Sequence, residues 1–215
     1  MVKNGLHAMA LNHRLAAGRA LCTRRGRAQL QALAWPPHLT QRRDESLELL
    51  TWLDEPIDPL DARIAAAAQA DDQARPLITH PGVGPLTALA TVLVLGPVAR
   101  FPTSKHVVSY IGLAPTVAAS AEKCRLGHIT KQGNTLLRYV VGQAGLVAAR
   151  SDPDLRRLYA VVMHRHGRPK AKVAVARKLL VRLYIMLRDQ IDYAEFRDRG
   201  RRPRVHPRAE GTERA

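Results

Sequence analysis

A chain of 215 residues, 46% hydrophobic but only 4% aromatic, can bury a real core. Its apolar content rests on Ala, Leu and Val, which favours helix packed on helix over a β-sandwich built on large rings. A formal charge of +16, from 34 Lys and Arg against 18 Asp and Glu, points to a polyanionic partner. Cys22 and Cys124 lack CxxC spacing and no apolar run nears the roughly 20 residues a bilayer span requires, which excludes a zinc framework, a disulfide scaffold and a membrane span.

The expected fold class is mainly α: a helical linker or coiled-coil-like arm, then a compact helical domain containing a helix-hairpin-helix-like motif. Residues 1–80 hold ten basic and nine acidic side chains, whereas residues 81–215 hold 24 and nine. The basicity therefore belongs to the C-terminal part. No secretory h-region opens the chain, so a cytoplasmic location is expected.

Residues 1–40 read as short helical stretches parted by glycines and by the Trp35-Pro36-Pro37 break. From 41 to 75 a helical arm follows. Its Leu50, Leu53, Ile57, Leu60 and Ile64 step by three and four residues, an a/d-like seam suited to its own domain or to a partner helix. Pro56 and Pro59 interrupt that seam and predict a kink or two helices. Residues 76–190 form the compact domain. The stretch 76–96 predicts a short helix, a glycine turn and a second apolar helix. Pro102 is suited to the first turn of the next helix, and Gly112 ends it. Residues 113–133 form a basic loop or hairpin, and Asn134 caps a helix reaching about Ala149. Helices over about 153–164 and 171–189 come next. The Arg/Pro-rich stretch 191–215 reads as a structureless basic tail.

Three segments carry chemistry. In His80-Pro81-Gly82-Val83-Gly84, two glycines around a small apolar residue permit a tight turn and close approach to a phosphate, which the amides opening the next helix would face. A plain turn between two helices with a glycine cap gives the same pentapeptide. The second segment, residues 109–134, sets Ser120 among Lys123, Arg125, His128 and Lys131, with Glu122 the sole acid between Pro81 and Ser151. Neighbouring cations could hold a phosphodiester for a serine nucleophile, although most loop serines are merely solvated. A two-metal nuclease needs several converging carboxylates. The basic region lacks them, so no metal or other cofactor bound by this chain is expected. In the third segment, Arg168, Lys170, Lys172, Arg177, Lys178 and Arg182 cluster on or before a helix with no acidic i,i+4 partner before Asp189. The cluster is either a solvated face or one that tracks phosphates.

PGVGPLTALATVLVLG, FPTSKHVVSYIGLAP, RLGHITKQGNTLLRYVV and KAKVAVARKLLVRLYIML occur in that order over about 76–190. This series resembles the C-terminal domain of insertion-sequence transposases of the "IS one-ten / one-sixteen" group. KNGLHAMALNHRL and TRRGRAQLQALAWPPH resemble that family's middle region, which makes 1–40 a remnant of the linker. The resemblance implies an acidic RNase H-like domain with Mg2+ ligands, absent from this chain, working with a serine from the C-terminal domain. It also implies DNA as substrate, a structured guide RNA and a homo-oligomer. Counting from Gly112-Leu113-Ala114-Pro115, the nucleophile position falls on Ser120; Ala119, Ala121 and Glu122 depart from the family's serine and glycines there. On this reading Gly82, Val83 and Gly84 bind DNA phosphate together with Lys123, Arg125, Lys131 and Arg138. The chain is then a transposase fragment with little cleavage of its own. The alternative is a non-catalytic helix-hairpin-helix nucleic-acid-binding module or an inactive fragment.

Overall fold

A computed structural model of the chain describes residues 2–12, 19–120 and 123–201, with the side chains of 19, 20, 24, 118–120, 123–126 and 201 outside that description. The fold is mainly helical and divides into two units, Met1–Arg63 and Ile64–Ala215.

The first unit contains α1 (Val2–Asn12), α2 (Arg24–Ala32) and most of α3 (Pro37–Ala70). Leu6, Leu21, Leu30, Leu47 and Leu50 form its core. Thr23 caps α2 by accepting from the Gly26 amide at 3.3 Å. Arg43, buried on α3, donates to the carbonyls of Leu30, Gln31 and Leu33 at 3.3–3.4 Å and so closes the other end of α2. That satisfies carbonyls which a helix terminus leaves without amide partners.

Of the kink or two helices expected at Pro56 and Pro59, the second is excluded: one helix of 34 residues runs through both prolines. Each ring removes the amide that would have bonded to the carbonyl four residues back, on Trp52 and Glu55. Both residues are exposed, so water can satisfy those carbonyls. Leu53, Ile57 and Leu60 of the expected seam are exposed as well, at 38%, 46% and 48%.

The second unit takes in the end of α3, α4 (Ala74–Ile78), α5 (Pro85–Leu95), α6 (Ser104–Tyr110), a hairpin of β1 (Pro115–Ser120) and β2 (Lys123–Ile129), α7 (Thr135–Ser151), α8 (Pro153–Asp189) and α9 (Tyr193–Arg201). One cluster including Leu77, Leu95, Val107, Ile111, Leu137, Val141, Leu179, Leu180 and Leu183 forms its core. α7 and α8 approach closely through small residues: a Cβ added to Gly145 would lie 3.0 Å from the Ala176 amide nitrogen. Asn134 caps α7, accepting from the Leu137 amide at 2.8 Å, and Asp152 caps α8, accepting from Leu155 at 2.8 Å with Pro153 in the first turn. α6 begins at Ser104, so Pro102 precedes it rather than entering its first turn.

β1 and β2 pair antiparallel from Pro115↔Ile129 to Ser120↔Lys123, with one extra residue on β2 opposite the step from Pro115 to Val117. Such a bulge bends a hairpin and strengthens its twist. The expected structureless tail from 191 is corrected in its first part. Ile191 and Tyr193 are buried in the core and α9 extends to Arg201, while residues 202–215 lie outside the described residues.

Candidate nucleic-acid interface

In the turn between α4 and α5, Gly82 has φ +87, a left-handed conformation that favours glycine. A Cβ there would meet the Ala148 amide nitrogen at 2.4 Å and the Ala148 Cα at 2.8 Å. The close approach that sequence assigns to a phosphate is therefore taken up by the backbone of α7. Val83 likewise turns inward: its side chain is buried and its amide donates to the His80 carbonyl at 3.0 Å. Only Gly84 faces out. Its conformation is extended, open space surrounds its Cβ direction, and it stands immediately before Pro85 at the start of α5.

The segments on either side of the hairpin, 111–114 and 130–134, meet at two further glycines. Gly112 (φ +76) would place a Cβ 1.9 Å from the Gln132 carbonyl oxygen, and Gly133 (φ +88) would place one 2.0 Å from that of Tyr110. The two segments thus lie backbone on backbone. Lys131 in the second adopts φ +57, donates its amide to the Gly112 carbonyl at 3.1 Å, and is exposed. Arg138 departs from the expected phosphate ligand. Its guanidinium donates to the carbonyls of Ile111 at 2.9 Å and Gln132 at 3.3 Å and to the Thr135 hydroxyl at 3.3 Å, so it ties α6 and the loop to α7. Ser120 and Lys123 form the last backbone pair of the ladder. The side chains of Ser120, Lys123 and Arg125 lie outside the described residues.

Sequence reasoning missed a buried polar cluster. Arg182, counted there among the surface cations, is 4% exposed and donates to Asp152 at 2.6 Å and to Asp154 at 3.2 Å. The Tyr193 hydroxyl also donates to Asp152, and the Tyr193 ring lies 4.4 Å from that of His80. Burial disfavours the Asp152 carboxylate, but the Tyr193 hydroxyl, the Leu155 amide and Arg182 outweigh it and hold the group at about 2. Burial pushes His80 down to about 4, against the Pro81 carbonyl that favours its proton. The partners lie 28 to 41 residues apart or more, and the only local signal was the Asp152-Pro153 cap.

No His, Cys, Asp or Glu set of three that could hold a metal occurs among the described residues, and the buried Asp152 carboxylate is already taken by Arg182 and Tyr193. The donor set among the described residues does not fit a divalent-metal centre. In the first unit, a groove of about 840 Å³ is lined by Asp44, Glu48, Asp54, Glu55 and Asp58, with Arg27 bonded to Asp54. Its negative charge repels a polyanion. On the second unit Arg165, Arg168, Lys170, Arg177 and Lys178 are exposed, and none is in an ion pair among the described residues. No described helix is long and apolar enough to cross a membrane.

The glycine turn, the hairpin, α7 and the start of α8 all fall within residues 74–160, which match the sequence profile of the transposase IS116/IS110/IS902 family. By that segment, the chain belongs to the IS116/IS110/IS902 transposase family. It is 32% identical to the insertion element IS110 uncharacterized 43.6 kDa protein of Streptomyces coelicolor, over 67% of this chain and 36% of that protein. It is 31% identical to the transposase for insertion sequence element IS1111A of Coxiella burnetii, over 65% and 40% of the two chains. A probable family 20 transposase of Pseudomonas aeruginosa is also 31% identical, over 73% and 50%. The chain thus spans from about a third to half the length of these relatives.

Proposed function

We propose that this chain is the part of a DNA transposase that grips a strand and offers a serine to it. In this reading Ser120 Oγ attacks a DNA phosphorus, and the bond from phosphorus to one deoxyribose oxygen breaks. The released sugar hydroxyl takes up the serine proton, and a phosphoserine ester remains. The hydroxyl of a second strand then reverses the exchange. Lys131, just after the hairpin, and the Lys123 and Arg125 positions within β2 would offset the charge that builds on the phosphate oxygens. Gly84, the one outward-facing position of the glycine turn, would let a phosphate approach the amides that open α5.

The observation that carries the reading is the position of Ser120. It sits in the last backbone pair of a two-stranded hairpin, inside the segment that matches a transposase family. A guide RNA, an oligomer and a metal-bearing acidic domain supplied from elsewhere complete the proposal, following the resemblance set out under Sequence analysis.

The test is co-expression with the acidic N-terminal domain of a relative, followed by denaturing electrophoresis with labelled insertion-element ends. A covalent protein–DNA adduct is expected for the parent and not for Ser120→Ala. An adduct that persists in Ser120→Ala removes the assignment.

A further inference from the structure

α8 is a hairpin, and its tip gathers charge that no ion pair among the described residues neutralises. Asp154 and Arg182 would stand about 42 Å apart on a straight helix rising 1.5 Å per residue, yet Arg182 donates to Asp154 at 3.2 Å. Leu155 and Val175 likewise share one buried cluster. The chain must double back between them. Gly167, with φ 80 and ψ 170, is the one non-helical position inside α8 and therefore the turning point; only glycine adopts that backbone region readily. Residues 153–166 and 168–189 are the two arms.

Every residue from 163 to 170 is exposed, in the sequence Met-His-Arg-His-Gly-Arg-Pro-Lys. Arg165, Arg168 and Lys170 stand within six positions, and none makes an ion pair among the described residues. An added Cβ on Gly167 would meet only Pro169 Cδ, at 3.9 Å, so the outside of the turn is open to a ligand. The second arm begins here with Pro169 in its first turn, and its positive helix end adds to the cations. His164, Arg165 and His166 in the last turn of the first arm offset the negative end of that arm.

Shape narrows the mode of contact. Two packed helices, each about 10 Å across, present a front roughly 20 Å wide. That is too broad to enter a major groove of about 12 Å. We propose that this tip is a contact to the backbone of duplex DNA, in which Arg165, Arg168 and Lys170 each neutralise a phosphate without reading bases. The inference rests on DNA being the partner, as proposed above, but not on Ser120.

The experiment is fluorescence anisotropy of the full chain with a labelled DNA duplex of arbitrary sequence across a salt series, with an RNA duplex of equal length in parallel. Each phosphate contact contributes about 0.9 to the slope of log affinity against log salt. The triple variant R165Q/R168Q/K170Q is therefore expected to lower the DNA slope by roughly 2 to 3. The charge-keeping exchange R165K/R168K/K170R should retain it. The control R25Q/R42Q/R63Q, with the same change in charge on other exposed residues, should move it by less than about one. Circular dichroism verifies folding, and the single variants Arg165→Gln and Arg168→Gln stand in should the triple variant unfold. An unchanged slope in the tip variant, an equal loss in the control, or a loss confined to the RNA duplex overturns the proposal. A parent with no salt-dependent DNA binding overturns it together with the DNA reading; a steep parent slope untouched by the tip variants sinks the tip alone.

Discussion

Replacing Gly82 by alanine separates two roles that one glycine turn could serve. At φ +87 a side chain strains the backbone, at a cost of roughly 1–3 kcal/mol. The new methyl would also stand 2.4 Å from the Ala148 amide nitrogen and 3.0 Å from the Ala144 carbonyl oxygen. Because both obstacles are backbone of α7, the clash is relieved only by moving a helix, and such overpacking typically costs about 1–3 kcal/mol. Together these give about 2–6 kcal/mol, or a fall in Tm of roughly 4–24 °C for a unit of this size. Gly84→Ala is the matched comparison. Gly84 has φ −91 and ψ 173 with nothing near its Cβ direction, so only its weak contribution to the helix cap, under about 1 kcal/mol, is at stake. Thermal melts followed at 222 nm, run beside DNA-binding titrations, read both variants. If Gly82→Ala melted with the parent and lost only DNA affinity, the glycine would serve a ligand and the argument from α7 packing would be wrong.

Three other outcomes follow from the same unit. Asp152→Ala leaves Arg182 buried without its main partner and is expected to cost about 3–5 kcal/mol in urea unfolding; adding Arg182→Met should recover part of that loss. His80 ordinarily titrates at 6.5 but is held to about 4 by burial. Its contribution is thus complete above pH 6.5 and is lost as pH falls toward 4, on the order of 3 kcal/mol. A His80→Phe variant whose stability varies with pH as steeply as the parent's across that window would contradict this account. Arg138→Lys gives up the planar fork that reaches the Ile111 and Gln132 carbonyls. It should lower stability by about 1–2 kcal/mol while changing the salt slope of DNA binding by well under one contact's worth.

What could be read from sequence was local. Asn134 before an apolar periodic run and the glycines flanking Val83 each fix the chain within a few residues, and the cap and turn they predict are present. Polar, glycine-bearing residues between Gly112 and Asn134 likewise marked the loop or hairpin that contains β1 and β2. Pro56 and Pro59 left a kink or a break open, and the helix continues through both, because the cost of a proline depends on whether the freed carbonyl finds water, which the pattern of letters does not carry. The buried cluster was invisible for a different reason. Arg182 meets Asp154 across 28 residues, and the Tyr193 amide meets the Thr79 hydroxyl across 114. No window of sequence contains both partners.

The same distinction governs the charge. A total of +16 treats every arginine alike, but the fold divides them. Arg182 is consumed by two aspartates, Arg138 by carbonyls, and Arg188 and Arg199 by Asp189. Arg100 lies 4.6 Å from the ring centres of both Phe101 and Tyr110. Among the described residues the cations at the turn of α8 have no such partners, although holding like charges at a tight bend works against folding. Exposed and unpaired there, they are open to an anion from outside. On the two proposals above, the tip would govern how strongly a strand is held and Ser120 what happens to it. Tip variants should therefore weaken adduct formation only at higher salt or lower DNA concentration, whereas Ser120→Ala should abolish the adduct while leaving the salt slope of binding intact.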